Sequence, residues 1–101
     1  LELTAEDPRL KERFGDQGTI VVYARLAADL LGATPMDRPE WTTVAPSGQV
    51  YCSLTNNASR KVPNAANPMA PNPDGHIVRW RELDGHVGTR FAWEIFLMAK
   101  D

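Results

Sequence analysis

The last strand-like stretch of the chain, Arg90–Met98, is apolar on both of the faces that an extended backbone would give it. Alternate residues of a strand point to opposite sides of a sheet. One face would carry Phe91, Trp93, Ile95 and Leu97, and the other Ala92, Glu94, Phe96 and Met98. A chain of 101 residues buries only about two-thirds of its unfolded surface. We therefore expect a sheet that needs cover from neighbouring structure on both sides.

Three further strands precede this one. Trp41–Ala45 and Gln49–Leu54 flank Pro46-Ser47-Gly48, which suits a tight hairpin turn. His76–Glu82 alternates cleanly, and the following Asp84-Gly85 is a turn signal. The sequence thus predicts a mainly β fold, an antiparallel meander that resembles one four-stranded β-propeller blade. A single blade cannot bury both of its faces alone.

For the region before the meander, the sequence predicts a strand and short helices. Asp7-Pro8 is typical of a helix start, and a helical turn would run through Phe14. Thr19–Tyr23 is β-branched and continuously apolar, which predicts a buried strand, the outer strand of a preceding blade. Ala24–Leu31 has a short helical pattern that ends at Gly32.

We predict a single partial domain over residues 1–101. Residues 1–18 form a charged N-terminal segment, and residues 19–40 hold the strand, the short helix and an Arg-Pro-Glu step. Residues 41–101 form the blade-like meander, which includes a loop rich in Asn and Pro at residues 55–75.

Composition excludes several classes of function. The net charge of −2 gives no basic footprint for nucleic acid, and no apolar run approaches the roughly 20 residues of a membrane span. The N-terminus shows no basic-then-apolar signal pattern and does not begin with Met, so we expect a removed leader or a piece of a longer chain. Cys52, the single cysteine, excludes an internal disulfide and is expected to be a small buried hydrophobe.

The segment from Thr55 to Gly75 contains five asparagines and four prolines, and so is neither helix nor strand. A loop this long inside a compact domain is usually functional or disordered. Its Asn side chains and backbone carbonyls could supply neutral oxygen ligands to calcium. A solvated surface loop over the sheet is an equally open interpretation. His76, directly after the loop, fits a capping or packing role.

Arg38-Pro39-Glu40 enters the first strand of the meander. In extended backbone, residues i and i+2 project to the same side, so Arg38 and Glu40 would point together. A guanidinium beside a carboxylate can hold a phosphate oxygen on one group and a metal ion on the other. The alternative is a solvent-facing ion pair, which is worth little energetically.

An ordered series of motifs runs through the chain: Arg25–Trp41, Val50–Asn57, Asn64–Pro73, Gly75–Trp80 and Phe91–Phe96. This series resembles the PhoX-type alkaline phosphatases and covers most of the chain beyond Gly18. The resemblance implies a bacterial, exported, calcium-dependent phosphomonoesterase, built as a β-propeller with insertions. It also implies a site with a calcium and iron cluster on the propeller axis, and a periplasmic or secreted location.

The Arg-Pro-Glu step is the best match to that family. The resemblance implies that Arg38 binds the substrate phosphate and that Glu40 is a metal-bridging carboxylate. The chain lacks the family's other metal ligands, and Cys52 does not occupy the motif of the iron-binding cysteine. Calcium alone takes six to eight oxygens, so we expect this fragment to be inactive alone and to bind neither calcium nor iron stably.

Two functions are therefore open at this point. The first is a fragment of a PhoX-type enzyme that hydrolyses phosphate monoesters once the rest of the propeller is present. The second is a non-catalytic β-sheet module that self-associates or binds a partner through its exposed edges. Neither interpretation includes nucleic acid or a membrane span.

Overall fold

The computed structural model describes residues 1–99 of the chain. They form three short helices followed by four strands. The chain divides into two compact units, Leu1–Ala33 and Thr34–Asp101.

The first unit is helical. It contains α1 (Pro8–Phe14), α2 (Gln17–Val22) and α3 (Ala24–Leu30). The side chain of Asp7 accepts a hydrogen bond from the backbone N–H of Arg9 at 2.9 Å, which caps α1 as the Asp-Pro signal predicted. The three helices enclose a small apolar core of Leu10, Ile20 and Ala27.

The strand predicted for Thr19–Tyr23 is wrong, because most of this stretch belongs to α2. Asp16 caps that helix, since its Oδ1 accepts from the backbone N–H of Thr19 at 2.7 Å. Ile20 then packs into the helical core, while Val21 and Val22 are exposed. The cap and the packing outweigh the weak strand preference of a β-branched run.

The second unit contains the sheet. Its strands are β1 (Pro39–Val44), β2 (Val50–Leu54), β3 (His76–Glu82) and β4 (Phe91–Met98). They pair in the order β1-β2-β3-β4, and every neighbouring pair is antiparallel. The predicted four-stranded meander is therefore confirmed. Gly48, at φ 88°, supplies the left-handed residue that the β1–β2 turn requires.

The sheet's buried core lies on its two central strands. Cys52, Leu54 and Val78 are buried there, with Trp80 and Ile95 packed against them. Most large apolar side chains on the outer strands are exposed, and Trp41 on β1 is 80% exposed. On β4 the exposed apolar residues are Phe91, Trp93, Phe96 and Leu97.

Residues 55–75 fold back on themselves between β2 and β3. Isolated antiparallel bridges join Asn57 to Asn72 and Asn64 to Asn67. Ala66, Asn67 and Asn72 are buried. This Asn/Pro segment is a packed part of the unit, so the interpretation as a solvated loop holds only for its exposed positions.

Candidate functional site

Arg38 and Glu40 lie close together at the entrance of β1. Nε of Arg38 is 3.9 Å from Oε1 of Glu40, and the two side chains are 66% and 44% exposed. An exposed pair at this distance gains little from its own attraction. Both groups are thus accessible to a further ligand, and we call this pair, with Asn56 beside it, the Arg-Glu corner.

The backbone of the corner is not the extended strand that the sequence predicted. Arg38 has φ 51°, in the left-handed region, although a residue before proline is normally extended. Pro39 pairs with Leu54 and Trp41 with Ser53, so Glu40 is the extra residue of a β-bulge. Bulges re-aim side chains and occur often beside active sites. The left-handed backbone of Arg38 and the bulge at Glu40 therefore bring the two side chains together.

Two residues that directly follow β2 form hydrogen bonds with Arg38. The backbone N–H of Thr55 donates to the carbonyl oxygen of Arg38 at 3.3 Å. Nη1 of Arg38 donates to Oδ1 of Asn56 at 3.5 Å. This hydrogen bond is long, so it restrains the guanidinium weakly, and the Arg38 side chain stays 66% exposed.

Asp37, directly before the corner, is buried and accepts four hydrogen bonds. Arg60 donates two of them, from Nε at 2.6 Å and from Nη2 at 2.8 Å. The amide of Asn57 donates at 2.8 Å and that of Asn67 at 2.6 Å. The Arg60 guanidinium, helped by these amides, holds the pKa of the Asp37 carboxyl well below its usual range.

A chain of buried polar side chains continues from Asp37 to the start of β3. Oδ1 of Asn67 accepts from the amide of Asn72 at 3.1 Å. The same amide lies 3.1 Å from Nδ1 of His76, whose Nε2 contacts the carbonyl oxygen of Ala66. These two contacts fit the neutral tautomer in which Nδ1 accepts from the Asn72 amide and the Nε2–H donates to the Ala66 carbonyl. His76 therefore has the packing role predicted for it.

Four of the five Asn side-chain oxygens of this segment are engaged in turns. Oδ1 accepts from a backbone N–H within three residues in Asn57, Asn64, Asn67 and Asn72. Such Asx turns order a segment that has little regular structure. These four oxygens already accept hydrogen bonds, which disfavours the interpretation of the loop as a calcium site.

The described residues do not fit a complete metal cluster. Within residues 1–99, no three His, Cys, Asp or Glu side chains are arranged to hold a metal ion. Glu40 is the carboxylate that the corner presents to solvent. Cys52 is buried in the sheet core as predicted, and burial raises the pKa of its thiol, which disfavours a nucleophilic thiolate.

Sequence reasoning missed Asp37, Arg60 and Asn56. Their partners lie 18 to 30 residues away along the chain, so no local spacing connects them. The available signal was composition, because the Asn/Pro segment holds five asparagines, and buried amide side chains need hydrogen-bond partners.

Two comparisons with known proteins give a match. A family model described as alkaline phosphatase PhoX matches residues 1–101. A solved structure of Pseudomonas fluorescens PhoX, in complex with vanadate, a transition state analogue, is similar at 49% sequence identity with a TM-score of 0.74. The similarity covers 82% of this chain and 15% of that one, so this chain spans a small part of its length. A search of the curated proteins gave no match.

Proposed function

This chain belongs to the PhoX family of alkaline phosphatases, and from that membership we propose that it supplies the Arg-Glu corner of a metal-dependent phosphomonoesterase. Arg38 would contact the phosphate of the substrate, and Glu40 would bind a metal ion. The observation that carries the proposal is the exposed pair at 3.9 Å, in a chain similar to a structure that binds vanadate.

Arg38 has the chemistry that a phosphate ester requires. A guanidinium presents a planar fork of donors that matches two phosphate oxygens, and it stays charged at alkaline pH. Asn56 engages one end of that fork at 3.5 Å, Nε lies 3.9 Å from Glu40, and the side chain is 66% exposed. Donors fixed in this way stabilise the negative charge that grows on the phosphoryl oxygens during hydrolysis.

Glu40 has the chemistry of a ligand to a hard cation. Calcium and iron are the metals that the family resemblance implies, and when bound they would neutralise phosphate charge and activate the nucleophile. Calcium takes six to eight oxygens, so Glu40 would supply a minority of the ligands. The remaining ligands would come from parts of the intact enzyme other than the described residues.

The intact enzyme is the functional unit in this proposal. We expect this chain alone to have little or no phosphatase activity and no stably bound metal. Among residues 1–99, no helix is long and apolar enough to cross a bilayer. In keeping with the family resemblance, we place the intact enzyme in the periplasm or outside the cell.

The test is turnover of p-nitrophenyl phosphate by the intact phosphatase that carries this chain, assayed with calcium and iron. We expect Arg38→Ala and Glu40→Ala each to lower kcat/KM by about 100-fold or more. Arg25→Ala, an exposed change on α3, serves as the matched control. Near wild-type turnover by both corner variants would contradict the proposal.

A non-catalytic interaction module is the second candidate. The exposed apolar residues of β1 and β4 favour it, because sheet edges of this kind pair readily with other chains. In that case, the corner variants would leave the intact protein's phosphatase activity unchanged, whereas changes on β1 or β4 would abolish partner binding.

A further inference from the structure

We propose that Asp37 is a positioning residue that fixes the backbone of Arg38 and so aims the phosphate-binding guanidinium. This role rests on the proposed function, because aiming Arg38 matters only if Arg38 meets the substrate. Asp37 directly precedes Arg38 and is only 5% exposed, so its own carboxylate is not presented to solvent.

Arg38 needs an external constraint. A non-glycine residue in the left-handed region is strained, and it persists only where the surrounding structure over-determines it. Pro39 adds to the conflict, since it favours an extended residue before it. Something must therefore hold the chain on both sides of Arg38.

On the C-terminal side, pairing with β2 begins at once, with Pro39 opposite Leu54. On the N-terminal side, the anchor is the Asp37 carboxylate, whose four hydrogen bonds come from Asn57, Arg60 and Asn67. A buried carboxylate with this many donors cannot rotate without leaving a charge unpaired. The peptide unit between Asp37 and Arg38 is thereby fixed.

Three consecutive residues after β2 form hydrogen bonds with Asp37 and Arg38. Thr55 binds the Arg38 carbonyl, Asn56 binds the Arg38 guanidinium, and Asn57 binds the Asp37 carboxylate. Asn67 and Asn72 extend the same network to His76 on β3. Hydrogen bonds therefore connect the guanidinium to the two central strands of the sheet, β2 and β3. These strands give the rigid support that a functional group requires.

Kinetics of the intact phosphatase distinguish positioning from general stability. We expect Asp37→Asn to raise the inhibition constant of inorganic phosphate, and KM for p-nitrophenyl phosphate, by about tenfold or more, as loss of an outer supporting partner does. Val78→Ala, a cavity in the sheet core, is the control for stability loss. It should lower the unfolding temperature without changing the phosphate inhibition constant.

A double variant isolates the route through Arg38. If Asp37 acts by aiming Arg38, then adding Asp37→Asn to Arg38→Ala changes the inhibition constant no further. Additive effects of the two changes, or an Asp37→Asn enzyme with wild-type phosphate inhibition, would overturn the inference. If Asp37→Asn does not yield folded enzyme, Arg60→Lys is assayed in its place. This variant keeps a positive charge beside Asp37 but loses the paired donors of the guanidinium. An unchanged phosphate inhibition constant in Arg60→Lys would also overturn the inference.

The proposed function fails separately from this inference. If Arg38→Ala leaves turnover and phosphate inhibition unchanged, the proposed function itself is wrong. If Arg38→Ala abolishes phosphate inhibition while Asp37→Asn and Arg60→Lys behave as wild type, only the positioning role is wrong.

Discussion

Arg38 and Glu40 show how a correct pairing can arise from a different backbone. Their spacing predicted proximity through an extended strand, and they do lie 3.9 Å apart. The approach depends instead on a left-handed Arg38 and a bulged Glu40. A left-handed non-glycine residue costs on the order of 1–3 kcal/mol. Sequence spacing could not reveal this, because the groups that hold Asp37 and Arg38 follow 18 to 30 residues later.

The fork of Arg38, in addition to its charge, should matter for phosphate binding. We expect Arg38→Lys in the intact phosphatase to lower kcat/KM by about 10- to 100-fold, because lysine keeps the charge but loses the paired donors. Arg25→Lys on α3 is the matched control. Steady-state assays with p-nitrophenyl phosphate measure both, and full activity of Arg38→Lys would show that a point charge suffices.

Asp37 should make the stability of the intact protein sensitive to acid. Its pKa is lowered in the folded state by Arg60, so the unfolded chain takes up a proton at higher pH than the folded protein does. The stabilisation is complete above the unfolded value of about 3.9 and is lost as pH falls below it. Between pH 7 and pH 3, we expect the unfolding temperature to fall less steeply in Asp37→Asn than in wild type.

The control for that comparison is the exposed Asp74→Asn. The pKa of Asp7 is lowered mainly by the side-chain hydrogen bond from Arg9, and that of Asp16 by the cap hydrogen bond from the Thr19 backbone. Both residues are present in every variant, so their effects cancel in the difference. An acid slope in Asp37→Asn as steep as in wild type would contradict the buried ion pair.

At the scale of the elements, local patterns predicted the four strands to within two residues at their ends. Clean alternation marked β3, the Pro46-Ser47-Gly48 turn marked β1 and β2, and the apolar run marked β4. The same reasoning failed at residues 19–22. There the apolar run is short, and the Asp16 cap together with burial of Ile20 selects a helix. The Asn/Pro segment could be recognised as irregular, but its hydrogen-bonded order depends on partners distant in sequence.

Gly75 joins that segment to β3 at a point where no side chain fits. Its φ is 82°, and a Cβ added there would lie 2.5 Å from the carbonyl oxygen of Leu54. We expect Gly75→Ala to destabilise the intact protein by more than about 2 kcal/mol, since backbone strain and a clash add. Gly85→Ala is the matched control, because Gly85 has φ 60° and nothing within 4 Å.

Chemical denaturation compares the two glycine variants. Gly85→Ala should lower the free energy of unfolding by about 1 kcal/mol, from the left-handed conformation alone. Equal losses at both positions would show that the close approach of Gly75 to β2 is absent.

At the scale of the whole molecule, the apolar pattern of β4 predicted a sheet that needs cover on both sides. Within the described residues, the large apolar side chains of β1 and β4 are largely exposed. The family could be recognised from the order of the motifs, and the family model confirms it. The ligands that would complete the proposed metal site could not be predicted, because the similarity covers only 15% of the Pseudomonas fluorescens chain.

This chain alone should associate in solution. Exposed apolar residues on edge strands drive pairing with further copies, so we expect sedimentation velocity to show species larger than the 11.2 kDa monomer. Leu97→Lys on β4 should shift the distribution toward monomer. Val87→Lys, in a turn where Val87 is 90% exposed, should not. A wild-type chain that sediments as a monomer would contradict the need for neighbours.

A crystal structure of the intact phosphatase with vanadate tests the central claim most directly. We expect the guanidinium of Arg38 to donate to vanadate oxygens at about 2.7–2.9 Å, with the carboxylate of Glu40 bound to a metal ion beside it. A structure in which vanadate lies elsewhere, while Arg38 and Glu40 face solvent as a simple surface pair, would contradict the account.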